Sequence, residues 1–170
     1  MGRLTLKLTG NFYDTSRFTA NYTVNGISGA KAMERFSFAP AGSQPLAGQP
    51  DLTDLWWGGA AQNGWGVAVT QDKGALFSAW YTYDRDGKVV WYTLQNGVTI
   101  KSATGATHIA DAYRTDGAPV LGVNFDTSRV RAQKVGTVTF EFPTDYSSAR
   151  MTYDVDGAKG VNALTRLPFP

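Results

Sequence analysis

Near the start of the chain Leu4, Leu6 and Leu8 alternate with Arg3, Thr5 and Lys7, and near its end Val138, Phe140 and Phe142 alternate with Thr137, Thr139 and Glu141. A period of two sends alternate side chains to opposite faces of an extended chain, so both runs predict half-buried β-strands. Each run is followed by a second alternating strand, through Phe18, Ala20, Tyr22 and Val24 or through Ala149, Met151, Tyr153 and Val155. Each second strand reaches a tight-turn dipeptide, Asn25-Gly26 or Asp156-Gly157, whose residues tolerate the positive φ of a two-residue hairpin. A third strand then ends near Phe36 to Phe38 or Leu167 to Phe169.

The two stretches read as copies of one segment. Tyr22, Val24, Gly26, Gly29, Arg35 and Phe38 match Tyr153, Val155, Gly157, Gly160, Arg166 and Phe169 at a constant offset, which predicts an internal repeat. Between them, residues 39–50 (APAGSQPLAGQP) form a Pro, Gly and Ala linker without apolar period. Five further strands are expected, at Leu52 to Trp57, Gly64 to Gln71, Ala75 to Asp84, Lys88 to Thr99 and Thr107 to Thr115, with a looser stretch from Asp116 to Ser128. The predicted fold is all-β: an antiparallel up-and-down meander of about eight strands over residues 51–170, closed as a barrel or stacked as a sandwich. Residues 1–38 are then a surplus three-stranded sheet that duplicates the last three strands. Burying an aliphatic side chain is worth roughly 1.5–3 kcal/mol, so the leucine stripe of that sheet is expected to dock on the main domain or on another copy.

Composition narrows the function classes. Sixteen basic residues against 14 acidic ones give a net charge of +2, with Lys and Arg dispersed along the chain. Nucleic-acid binding needs many phosphates neutralised along one face and is not expected. The chain has no cysteine, which removes disulfides, thiolate nucleophiles and Cys-ligated zinc. No apolar run approaches the length of a membrane span, and the first residues form a strand pattern instead of a signal peptide.

All five tryptophans, Trp56, Trp57, Trp65, Trp80 and Trp91, fall in one portion of the chain, four of them in the pairs Trp56-Trp57, Trp80-Tyr81 and Trp91-Tyr92. Neighbours on a strand face opposite ways, so each pair puts a ring on both sides of the sheet. If Asp86-Gly87 is a two-residue hairpin pairing Arg85 with Lys88, one face gathers Trp65, Val67, Val69, Phe77, Ala79, Tyr81, Tyr83, Val90, Tyr92 and Leu94 as core. The other gathers Gly66, Ala68, Thr70, Ser78, Trp80, Thr82, Trp91, Thr93 and Gln95. Flat indoles among hydroxyls suit a sugar, whose apolar face stacks on rings while Ser and Thr answer its hydroxyls. The candidate ligand-binding set is therefore Trp56, Trp57, Trp80, Thr82, Trp91 and Thr93, with a glycan or cell-surface polymer as partner. The competing expectation is that this face is covered by the surplus strands or fills a barrel.

The run DLWW…NGWGVAVTQ…GALFSAWYTYDRDGKVVWY, followed by AYRTDGAP, GTVTFEF and YDVDGAKG, resembles a tandem Trp-rich β repeat of exported proteins from Gram-negative bacteria. The likeness covers nearly all of residues 51–169, and residues 2–38 look like the tail of a preceding unit. It implies an extracellular or cell-envelope location and a non-enzymatic module, and brings neither a ligand nor catalytic residues. GGAAQN departs from the repeat's usual spacing after the double Trp.

Other chemistry finds little support. His108, the single histidine, is expected at the surface or capped by a hydrogen bond. Asp84-Arg85-Asp86-Gly87 and Asp154-Val155-Asp156-Gly157 resemble calcium loops but lack the further carboxylates and terminal Glu, and read as hairpin turns. Asp51, Asp54, Asp111 and Glu141 carry no paired-carboxylate signature, and Arg35 and Arg166 read as structural. No catalytic residue, metal ligand or cofactor is expected. The functional expectation is a non-catalytic recognition module; its alternative is a self-assembling subunit whose residues 1–38 dock on a neighbour.

Overall fold

A computed structural model of the chain describes residues 2–8, 16–43, 48, 50–117, 119, 121 and 124–168. Phe169 of the expected repeat, residues 9–15 of its first turn, and residues 44–47 and 49 of the linker lie outside the described residues. The chain divides into two compact units: residues 1–37 with 116–130, and residues 38–115 with 131–170.

The first unit contains an antiparallel three-stranded sheet, β1 (Arg3–Leu8), β2 (Arg17–Val24) and β3 (Ile27–Glu34), in the order β1-β2-β3. Asn25 and Gly26, at φ 50° and 79°, make the predicted two-residue turn between β2 and β3. Leu4 and Leu6 pair with Tyr22 and Ala20 and remain 64% and 57% exposed.

The second unit is a closed eight-stranded antiparallel barrel. Its strands are β4 (Asp54–Trp57), β5 (Gly66–Asp72), β6 (Ala75–Tyr83), β7 (Val89–Ser102), β8 (Gly105–Asp116), β9 (Arg131–Pro143), β10 (Ser148–Val155) and β11 (Ala158–Arg166). They follow one another in sequence around the wall, and β11 closes on β4, which is the up-and-down meander in its barrel form. Among the described residues there is no α-helix; Ala60–Gln62 and Thr127–Arg129 are single 3-10 turns.

Inward positions alternate with outward ones on every strand, and the inward set is the core. One end of the interior packs Leu52, Trp56, Phe140, Phe142, Ala149, Met151 and Leu164. Trp56 meets Phe142 edge-on at 5.5 Å between centroids and donates its indole N–H to the Leu52 carbonyl. On β9, Val138, Phe140 and Phe142 are buried. The matching leucines of β1 have the same alternation. Tyr22 lies over Gly29 and Tyr153 over Gly160, because the missing Cβ atoms leave room for the rings. Asp156 and Gly157 turn at φ 50° and 71°.

The sheet closes on a short seam. Thr165 and Arg166 pair with Trp57 and Trp56, and Leu167 N–H donates to the Leu55 carbonyl. Arg166 reinforces it by donating to Asp54 Oδ2 at 2.7 Å and to the Asp51 carbonyl at 2.8 Å, while its guanidinium lies 4.6 Å from the centre of the Trp56 ring. That contact holds the Asp54 carboxyl below the usual carboxylate range.

The turn between β6 and β7 corrects the expected register. Gly87 N–H donates to the Asp84 carbonyl, and Asp84 N–H donates to the Lys88 carbonyl, so the loop has three residues, Arg85, Asp86 and Gly87. Gly87 takes the positive φ, 74°, as in a type I turn closed by a G1 bulge. The Asp84 carboxylate accepts from both Asp86 N–H and Lys88 N–H at 2.9 Å, which locks this form. Tyr83 therefore pairs with Val89, Tyr81 with Trp91 and Trp80 with Tyr92. One extra loop residue inverts the facing of β6 relative to β7.

Candidate functional site

The six predicted ligand residues do not share a face: Trp56 and Trp57 are neighbours on β4 and face opposite ways, and the inversion separates Trp80 and Thr82 from Trp91 and Thr93. Trp56, Trp80 and Thr82 point to the interior, while Trp57, Trp91 and Thr93 lie on the outside of the wall. Trp80 is 5% exposed and Trp91 47%. Tyr81 and Tyr83, expected in the core, are outside and exposed; Ser78, expected on the ligand face, is buried. Phe77 also faces outward, where Phe38 covers it at 5.8 Å between ring centroids.

Outside, the strand pairing assembles an aromatic row. Gly66 lies beside Trp57, Tyr81 pairs with Gly66, and Trp91 pairs with Tyr81. A second row runs parallel to it through Leu55, Ala68, Ala79, Thr93 and Tyr113. Gly66 and the alanines make a trough between larger side chains. Trp57, Trp65 and Tyr81 line a groove of about 270 Å³ at the trough's β4 end. The buried indole N–H of Trp57 has no hydrogen-bond partner among the described residues.

Inside, one end of the barrel opens as a mouth. A cavity of about 540 Å³ is lined there by Trp80, Tyr92 and Tyr153, by Thr82, Val155 and Ala158, and by charged groups on two turns and on β8. The three rings are in mutual contact, Trp80 lying 5.5 Å from Tyr92 and 5.0 Å from Tyr153 between centroids. Tyr92 Oη donates to Asp156 Oδ2 at 2.8 Å, and Arg114 approaches the same oxygen at 3.7 Å. Burial, and then the hydrogen bond to the Asp156 carboxylate, push the Tyr92 phenol up to about 12. At the rim Arg85 donates to the Gly157 carbonyl at 2.6 Å, tying the β6–β7 turn to the β10–β11 turn. The indole N–H of Trp80 is buried and unpartnered among the described residues.

His108 is not at the surface: it is 2% exposed, and its Nδ1 is capped by Thr99 Oγ1 at 2.9 Å. A register shift between Gln95 and Val98 brings Gly97 against the imidazole, where a Cβ would run into the ring. Burial pushes the imidazole down to about 4. The carboxylates considered as catalytic candidates are each engaged locally: Asp54 with Arg166, Asp111 with Lys134, Glu141 with Arg150, and Asp51 with the Thr53 amide. Among the described residues no cluster of three His, Asp or Glu side chains is placed to hold a metal ion, and no helix is long and apolar enough to cross a membrane.

Sequence reasoning missed Tyr81 on the outer row, and missed Tyr153, Asp156 and Arg114 around the mouth. The signal for Tyr81 was present in the turn: Asp at the first position and Gly at the fourth, as in Asp84-Arg85-Asp86-Gly87, favour a type I turn. The mouth residues come from strands far apart in sequence and meet only when the barrel closes. No family model matches the chain, and no curated protein or solved structure matches it.

Proposed function

We propose that this protein is a non-catalytic recognition module that binds a glycan on the outer wall of its barrel, in an extracellular or cell-envelope setting. The observation that carries this reading is the outer row of Trp57, Tyr81 and Trp91, with Tyr81 and Trp91 about half exposed. Large aromatic side chains left in water cost hydrophobic free energy, and a contiguous patch of them is a usual mark of a binding surface. Across Gly66, Trp57 and Tyr81 stand two strand spacings apart, about 10 Å, a trough wide enough for a sugar ring. Thr93 and Tyr113 supply hydroxyls along its flank. Trp80, Thr82 and Trp56 play no part in this surface. Tyr81→Ala and Trp91→Ala are expected each to weaken polysaccharide binding, measured on a glycan array and by affinity electrophoresis, by about tenfold or more. Unchanged binding in the double variant contradicts the assignment.

A second reading, self-assembly through residues 1–38, is favoured by the exposed Leu4 and Leu6. The same alternation is buried on β9, where seven other barrel strands enclose it. On this reading the sheet β1-β2-β3 is an incomplete repeat unit that gains its cover from another copy. Sedimentation of the intact chain beside a chain lacking residues 1–37 tests it: a larger assembly is expected for the intact chain, and monomers in both contradict it.

A further inference from the structure

We propose that the sheet β1-β2-β3 is a donor element shaped like β9-β10-β11, and that its partner is the arc β4–β8 of a second copy, whose gap it closes in place of that copy's last three strands. The fit rests on the second reading only in taking another copy as cover, and adds which strands supply that cover.

The two sheets are paired alike, residue for residue. Tyr22 pairs with Gly29 as Tyr153 pairs with Gly160, Val24 with Ile27 as Val155 with Ala158, and Arg17 with Glu34 as Ser148 with Thr165. On the other side of the middle strand, Leu4 pairs with Tyr22 as Val138 with Tyr153, and Leu6 with Ala20 as Phe140 with Met151. In both sheets the tyrosine ring fills the space where a Cβ on the facing glycine would stand. Directly paired residues share a face, so Leu4, Leu6, Ala20, Tyr22, Val24 and Met33 lie together. Val138, Phe140, Met151, Tyr153, Val155 and Leu164 do the same on the inward face of the barrel.

The barrel shows what covers such a face: the strands β4–β8, with β11 joined to β4 and β9 to β8. Leu4, Leu6 and Met33 are exposed, and burying a large aliphatic side chain gains roughly 1.5–3 kcal/mol. The edge that must join β4 is matched as well. Arg166 donates to Asp54 and to the Asp51 carbonyl at the closing seam, and Arg35 is its counterpart just beyond β3. Leu167, whose N–H donates to the Leu55 carbonyl, has Phe36 as its counterpart.

Two differences make β1-β2-β3 the weaker closing element. Lys31 faces Ala20 where Asn162 faces Met151, and enclosing an ammonium costs more than enclosing an amide. Leu6 and Ala20 also bring less volume than Phe140 and Met151, which leaves an interior less full. Each copy therefore closes on its own last strands, and the donor takes an arc whose own closing strands are out of place. Two donor sheets stacked face to face fit less well, since they would enclose both Lys31 ammonium groups and leave their edge strands open.

The test traps the seam with single cysteines in full chains, which otherwise have none. The acceptor carries Leu55→Cys, with Phe140→Asp and Met151→Asp to keep its own last strands out of the barrel and Leu4→Asp and Leu6→Asp to disable its own donor. The donor is otherwise wild type and carries Phe36→Cys. After co-refolding and mild oxidation, a disulfide-linked pair of one donor and one acceptor is expected by mass spectrometry. Moving the donor cysteine to Ile27, at the far end of β3, is expected to lower the yield by about tenfold or more. Leu4→Asp with Leu6→Asp in the donor is expected to do the same, while Lys31→Asn is expected to raise the donor's apparent affinity about tenfold. Arg166→Ala with Leu55→Cys serves as a second acceptor that needs no refolding. Its own strands still close the barrel on a loosened seam, and the same product is expected in mild urea with excess donor. Monomeric intact chains would sink self-assembly and leave the donor fit standing, because each intact copy fills its own gap. No linked product with either acceptor, equal linkage through Ile27→Cys, linkage that survives Leu4→Asp with Leu6→Asp in the donor, or a fall in affinity in Lys31→Asn overturns the proposal.

Discussion

His108 shows what a single polar side chain costs when a small barrel encloses it. Its Nδ1 is paired with Thr99, and burial holds the ring neutral in the folded protein down to about pH 4. In the unfolded chain it takes up a proton near pH 6.5. Between those values the unfolded state binds the extra proton, so stability is complete above about pH 6.5 and declines as the pH falls toward 4. The penalty is on the order of 3 kcal/mol at the acid end. Urea unfolding of wild type and His108→Gln near pH 7 and pH 4.5 checks this: the wild type is expected to lose more stability on acidification than the variant. An identical loss contradicts it. The sequence surrounds His108 with Thr, Ala and Ile, which reveals no burial; in the barrel it shares the inward face of β8 with Ala106, Ala110 and Ala112.

Strand existence was readable because alternation is a local property, and the eight barrel strands fall close to the period-two patterns. Facing was less readable, since it depends on whether a hairpin loop holds two residues or three. The Asp156-Gly157 turn behaves as the dipeptide predicts, with Val155 opposite Ala158. The Asp86-Gly87 turn does not, because the Asp84 carboxylate recruits the next turn residues into a three-residue loop. Trp80 and Trp91 are separated by the wall for that reason. The closing seam between β4 and β11 was also illegible, as its two paired positions are more than a hundred residues apart. There Arg166 couples Asp54, the Asp51 carbonyl and the Trp56 ring. Arg166→Ala is expected to lower the stability of the barrel by about 1.5–3 kcal/mol, the scale of a lost hydrogen bond to a charged group. Arg166→Lys is expected to recover part of it, since it keeps the charge without the fork. Denaturant midpoints within error of wild type for both variants contradict the clasp.

At the scale of the molecule, the all-β class, the meander and the surplus sheet follow from the sequence pattern, while the choice of barrel over sandwich requires β11 to meet β4. Closure has a functional consequence. It leaves no open edge on the barrel sheet and creates two separate chemical surfaces, an aromatic row outside and a lined mouth inside. Both depend on one claim, that Ser78 and Trp80 face the interior while Ala79, Tyr81 and Trp91 face out. The chain's lack of cysteine makes that claim directly measurable. Single Ser78→Cys and Tyr81→Cys variants, labelled with a thiol reagent under native conditions and again in denaturant, report the facing of β6 residue by residue. The account predicts that the thiol at 81 reacts in the native protein at close to its unfolded rate and that the thiol at 78 is strongly protected. Fast labelling at 78 with protection at 81 is the opposite register, and would contradict it.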